Sequence, residues 1–95
     1  MIFEWDENKN NANIRNHGID FNDVIEIFSG PMIVNLDDRF DYGEDRLFGI
    51  GFMNNVIAIV VFIEKKADVI RIISSRRANK NECQQFKKEI KNRLG

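Results

Sequence analysis

The stretch NNVIAIVVFIEKKADVIRIISS, residues 54–75, decides the fold. Val56 to Ile63 is the longest apolar run in the chain, and its length and β-branched content suit a buried strand rather than a helix. Asn54-Asn55 stands before it. Asparagine tolerates positive φ, so this pair predicts a two-residue hairpin turn entering the run from an earlier strand. Lys65 to Asp68 predicts the next turn and Val69 to Ser75 the last strand, which makes the segment Val56 to Glu64 the central one. Strict alternation along the last strand would place Val69, Arg71, Ile73 and Ser75 on one face, with Ile70, Ile72 and Ser74 on the other.

Upstream, Met32 to Leu36 predicts a short strand, the acidic stretch DDRFDYGED (Asp37 to Asp45) a loop, and Arg46 to Met53 a strand. Gly49 and Gly51 fall inside that strand pattern, where glycine marks a bulge or a close approach of another backbone. Asp6 caps a first helix through ENKNNANIRNH that stops at Gly18, with Trp5, Ala12 and Ile14 as its apolar anchors. Its five asparagines give it poor intrinsic propensity, so packing or caps must hold it. Asp20 caps a second helix whose stripe is Phe21, Val24, Ile25 and Phe28, ended by Gly30-Pro31. Asn79 and Glu82 have the spacing of a capping box, and Phe86, Ile90 and Leu94 follow along one face of a C-terminal helix. The order predicts an α+β fold: two N-terminal helices, a small antiparallel meander sheet of three to four strands, and a C-terminal helix.

At 95 residues the chain predicts one domain, residues 1–95, with a modest core and little room beyond one site. No window has the ~18 apolar residues of a membrane span, and MIFEWDENKN has neither a basic start nor an apolar h-region, so no membrane association and a cytoplasmic location are expected. The single cysteine, Cys83, excludes an internal disulfide and suits a reducing compartment. The net charge of −1 conceals a division: residues 1–64 carry 4 Lys+Arg against 12 Asp+Glu, whereas residues 65–95 carry 10 against 3. Either the two parts attract each other within the fold, or the second presents a basic surface to a polyanion.

Arg71, Arg76 and Arg77 favour the second reading. Arginine presents five donors in a planar fork and grips phosphate bidentately, and two of the three lie at a strand exit that leads into a helix N-terminus. The rival reading holds Arg71 as a half-buried structural cation paired with a carboxylate such as Glu64 or Glu44. Lys80, Lys87, Lys88, Lys91 and Arg93 extend the positive character along the last helix, as a solvated face or as phosphate contacts. His17, the only histidine, complements a helix C-terminus and is also the first candidate for general acid–base work, since unperturbed imidazole titrates near neutrality. Trp5 is read as core. No zinc-type ligand spacing, EF-hand pattern, nucleophilic triad or glycine-rich phosphate loop is present, so neither a metal nor a cofactor is expected.

FEWDENKNNANIRNHGIDF at the start, GEDRLFGIG in the middle and IRIISSRRANKNE near the end together resemble the small BrnT toxins of bacterial type II toxin-antitoxin systems. The resemblance runs from Phe3 to about Phe86. Trp5, Asp6, Lys9, Asn13, His17, Gly18 and Phe21 meet the opening pattern. Arg71, Ile72, Ile73, Ser74, Arg76, Arg77 and Ala78 meet the closing one, with Ser75 in place of alanine. The resemblance implies a RelE-like microbial ribonuclease fold and an endoribonuclease that cuts RNA and stops translation. It also implies a BrnA-type antitoxin whose ribbon-helix-helix part binds DNA, giving a heterotetramer in which the toxin meets DNA only through its partner. Cys83 replaces a commonly basic residue and Phe86 a common tyrosine, which removes a hydroxyl proton donor from the implied site. In the expected mechanism no metal takes part: the 2′-OH attacks the adjacent phosphorus, Arg71, Arg76 and Arg77 hold the phosphorane, and His17 or Glu64 accepts the proton. Lys9, Arg46, Lys80 and Lys87 are the expected RNA-backbone contacts. The competing expectation is a binding module that cuts nothing and docks an acidic or amphipathic partner segment on the same basic face.

Overall fold

The computed structural model describes residues 1–39, 41 and 43–94; Phe40 and Tyr42, within the expected acidic loop, lie outside that description. The elements are β1 (Ile2–Glu4), α1 (Glu7–His17), α2 (Phe21–Val24) running into a 3₁₀ segment (Ile25–Ser29), β2 (Met32–Asp37), β3 (Arg46–Met53), β4 (Val56–Lys65), β5 (Val69–Arg77) and α3 (Lys80–Leu94). The strands form one sheet in the order β1-β5-β4-β3-β2. The meander β2 to β5 is antiparallel as its turns require. Asn54 and Asn55 both have positive φ, 49° and 67°, and close a two-residue hairpin between Met53 and Val56.

The sheet differs from the expectation by a fifth strand and by mixed pairing. Ile2–Glu4 lies parallel to Val69–Arg71 on the outer edge of β5. Three residues give too short a pattern to distinguish a strand from a lead-in to the α1 cap, and their partner lies far along the chain. The expected second helix is likewise shorter. Phe21, Val24 and Ile27 are fully buried at steps of three, a 3₁₀ period, while Ile25 and Phe28 are only half-buried.

One face of the sheet, the helical face, carries the core: Ala58, Val60 and Phe62 of β4 with Ile70 and Ile72 of β5 pack against Phe21, Val24 and Ile27. Close approach explains the strand glycines. A Cβ on Gly51 would stand 2.8 Å from Ile27 Cγ2 and 3.2 Å from the Pro31 carbonyl oxygen, and one on Gly49 would overlap the Met32 methyl. The opposite face carries Phe48, Ile50 and Phe52 of β3 opposite Val61, Ile59 and Ile57 of β4. Here α3 docks at one end through Phe86, 1% exposed, whose ring lies 5.2 Å from that of Phe52. Of the expected α3 stripe, Ile90 is half-buried and Leu94 is 84% exposed, so α3 is anchored mainly by its first two turns. What remains uncovered on this side is a cleft.

Only part of the expected apolar anchoring of α1 is found: Trp5, just before the helix, packs partly buried against the core, its ring 6.0 Å from that of Phe21. Ile14 is exposed; the buried residues are Asn10 and Asn13. Asn13 accepts from the Ser75 backbone N–H at 3.0 Å and donates to the Ile19 carbonyl at 2.9 Å. Asn10 accepts from Phe21 N–H at 2.8 Å and donates to Asp20 at 3.1 Å. A helix of poor propensity is thus fastened by side-chain amides that satisfy backbone groups left open by β5 and by the turn after Gly18.

Candidate functional site

The geometry of β5 turns on one extra residue. Phe62 faces Ile72 and Val61 faces Ser74, so Ile73 is a β-bulge. The bulge inverts the alternation expected from the sequence. Ser75 now faces Val60 and is buried in the core, its hydroxyl donating to the Ile59 carbonyl at 2.6 Å. Arg76 faces Ile59 and joins Arg71 and Ser74 on the cleft face, and Arg77 ends the strand opposite Ala58.

His17 completes the arrangement. Asn13 pins α1 to the free edge of β5, and His17 follows one turn later at the helix end, where it lines a cavity of about 200 Å³ with Ser74, Arg76, Arg39 and Phe48. Arg76 is held from behind by Glu82: its Nη1 and Nη2 donate to the two carboxylate oxygens at 2.8 and 2.9 Å. Glu82 is itself fixed by the capping box with Asn79, both bonds 2.8 Å. This grip holds the Glu82 carboxyl below its ordinary value and the Arg76 guanidinium above its own; burial opposes both, and the nearby positive charge of Arg39 opposes the second. Arg39 in turn is oriented by a bidentate pair with Asp37, whose carboxylate is 1% exposed, and lies 5.9 Å from the centre of the Phe48 ring.

Arg71 is paired, but with neither carboxylate expected of it. Glu4, brought alongside by β1, accepts from Arg71 Nη1 at 3.1 Å and from Lys65 at 3.1 Å. The Lys65 hydrogen bond is the chief reason that the Glu4 carboxyl is depressed. Arg71 and Arg76 share a face, but they stand opposite Ile63 and Ile59 and are separated by about 13 Å of strand, more than one phosphate spans. Arg46, half-buried, stands on the same face opposite Asp37. Glu64 does not join them. It faces Ile70, on the helical side of the sheet, whereas Arg71 faces Ile63 on the cleft side. Lys9 is exposed in the first turn of α1, about 12 Å of helix from His17. Arg77 and Lys87 meet on a separate hollow of about 430 Å³ with Phe52 and Cys83, and Lys80 is exposed at the start of α3. Sequence reasoning missed Arg39. The signal for it is a lone arginine within the acidic stretch DDRFDYGED, a cation whose neighbours can orient it.

Glu82 gives the Arg76 grip a pH signature. The unfolded carboxyl titrates near its ordinary value of 4.5 and the folded one lower, so the unfolded chain binds more protons and stability falls as pH drops through that window. Glu82→Gln is therefore expected to lower Tm at neutral pH by roughly 4–8 °C, corresponding to no more than about 1 kcal/mol for a pair this exposed. The difference from the parent protein should close as pH is taken through the window. Parallel melting curves that stay equally far apart at all pH values would contradict the assignment.

Among the described residues, no group of three or more His, Cys, Asp or Glu side chains is placed to hold a metal ion, and no helix is long and apolar enough to cross a membrane. Residues 5–82 match the family model for the ribonuclease toxin BrnT of type II toxin-antitoxin systems. The chain is also similar to the crystal structure of the ribonuclease toxin BrnT from Brucella abortus, with 32% identity and a TM-score of 0.64 over 84% of this chain and 100% of that one. No match is found among curated proteins.

Proposed function

Because the chain belongs to the BrnT family of ribonuclease toxins, we propose that it is a metal-independent endoribonuclease whose scissile phosphate sits in the cavity between His17, Ser74 and Arg76. The observation that carries this reading is the bulge at Ile73, which turns Arg76 into the same cavity that the end of α1 supplies with a histidine. The attacking 2′-OH gives its proton to His17, the P–O5′ bond breaks as the P–O2′ bond forms, the leaving 5′-oxygen takes a proton from water, and a 2′,3′-cyclic phosphate and a 5′-hydroxyl result. Arg76 and Arg39, each held by a carboxylate, are fixed cations beside the developing phosphorane charge, so little reorganisation accompanies the reaction. Arg71 and Arg46 contact neighbouring phosphates along the cleft. Lys9, Lys80, Lys87 and Arg77 lie further out, where cations add salt-dependent and sequence-independent affinity. Glu64, on the opposite side of the sheet, is the weaker of the two candidates for proton acceptor.

In the cell, a cytoplasmic location and arrest of translation through RNA cleavage follow from this reading. A BrnA-type ribbon-helix-helix antitoxin covering the cationic cleft would block the site and neutralise its charge at once, and dimerisation of its DNA-binding part would give a heterotetramer. The test is incubation of the purified protein with RNA and analysis of the ends. Products with 2′,3′-cyclic phosphate and 5′-hydroxyl termini, lost by about 10²-fold or more in His17→Ala, are expected. A second reading, a docking module without catalysis, is favoured by exposed Phe52 and Leu94 beside Lys87 and Lys91. Intact RNA at every pH together with tight antitoxin binding would establish that one instead.

A further inference from the structure

A second cavity adjoins the proposed phosphate site. It encloses about 390 Å³ between α3 and the cleft face of β2 and β3, with a floor of Phe48, Ile50 and Phe86 and a rim of Asn35, Gln85 and Glu89. Phe48 belongs to both cavities, and the Arg76–Glu82 pair stands between them, Arg76 lining one and Glu82 the other. The two hollows are chemically opposite. The first is lined by cations, whereas the second has two carboxylates and, among the described residues, no cation on its wall, so it offers phosphate no positive partner. An aromatic floor with an amide and carboxylate rim is instead suited to a nucleobase, which stacks on the ring and exchanges hydrogen bonds at its edge.

We propose that this cavity binds the base adjacent to the scissile phosphate and that it selects guanine. The inference rests on the ribonuclease reading of the neighbouring site and names the substrate that site takes. Glu82 is occupied by Arg76 and by the Asn79 N–H, which leaves Glu89 as the carboxylate available to a ligand. Its partner Arg93, one turn on, is 3.5 Å away and both side chains are about half exposed, so the pair is weak and readily exchanged. A carboxylate accepts only. Guanine presents two adjacent donors, N1–H and N2–H, on its Watson–Crick edge, whereas adenine and cytosine set a ring acceptor beside their single amine and uracil offers one N–H between two carbonyls. Asn35 and Gln85, which both donate and accept, can meet the O6 acceptor that remains.

Binding of the four nucleoside 3′-monophosphates to the intact protein, followed by NMR titration, tests this independently of cleavage. Guanosine 3′-monophosphate is expected to bind about tenfold or more tighter than the other three, the discrimination of one bidentate contact to a base edge. Glu89→Gln should bring the four affinities together, and Phe48→Leu should weaken all four. Equal affinities in the parent protein, or a guanine preference unchanged in Glu89→Gln, would overturn the proposal. The two readings also part cleanly: RNA cut without preference for guanosine next to the broken bond removes the base pocket and leaves the nuclease, while selective guanine binding by a protein that cuts no RNA does the reverse.

Discussion

Arg76→Ala is expected to reduce RNA cleavage by about 10²–10³-fold, the loss that follows removal of one fixed donor at a developing oxyanion. Two features place this variant above the other arginine substitutions. Arg76 lines the same cavity as His17, whereas Arg71 is about 13 Å away along the strand and Arg77 lines a separate hollow at the strand end. Its orientation is also fixed in advance by the two bonds to Glu82, so none of the positioning has to be done in the transition state. Arg76→Lys should recover little, because a single ammonium nitrogen cannot reproduce the planar fork that grips the two Glu82 oxygens through two nitrogens and keeps its remaining N–H groups in fixed directions for phosphate. Arg77→Ala should lose much less, through salt-dependent affinity rather than turnover. Single-turnover rates at saturating protein separate the cases: a rate that Arg76→Ala leaves within a factor of about three would remove Arg76 from the site.

Much of the fold is legible in the sequence because its signals are local. The Asp6 and Asp20 caps, the left-handed Gly18, the Asn54-Asn55 turn and the Asn79–Glu82 capping box each depend on residues within a few positions of one another, and each forms as its chemistry demands. What resists reading is whatever depends on distant partners. Nothing near Ile73 announces a bulge; it arises where β5 must match β4 while Ser75 meets Asn13. That single offset decides which arginines share a face, so the strand could be found from its pattern while its site could not. Glu4 as the partner of Arg71 was hidden for the same reason: β1 reaches β5 across most of the chain. The division of charge is similarly only half explained by internal attraction. Glu4 answers Lys65 and Arg71, but Arg76 takes its carboxylate from the basic part itself.

Asn13→Ala is expected to cost about 2–6 kcal/mol of stability and to impair cleavage as well, and the combination separates a scaffold residue from one that builds the site. The side chain is 5% exposed and satisfies two backbone groups, the Ser75 N–H and the Ile19 carbonyl. Alanine leaves both without their partner, at about 1–3 kcal/mol each where water cannot reach them. Asn10→Ala provides the comparison. It also strips two hydrogen bonds from a buried position, those to Phe21 N–H and Asp20, and should lower Tm by a similar amount. Yet Asn10 fastens α1 to the turn before α2, whereas Asn13 fastens it to β5 beside Ser74 and Arg76, one turn before His17. If the hydrogen bond to Ser75 is what places the imidazole, then below both melting temperatures Asn13→Ala should cleave RNA about tenfold or more slowly than Asn10→Ala, with RNA affinity little changed. Equal rates in the two variants would mean that His17 reaches the cavity without that bond, and that the asparagines of this polar helix hold the fold alone.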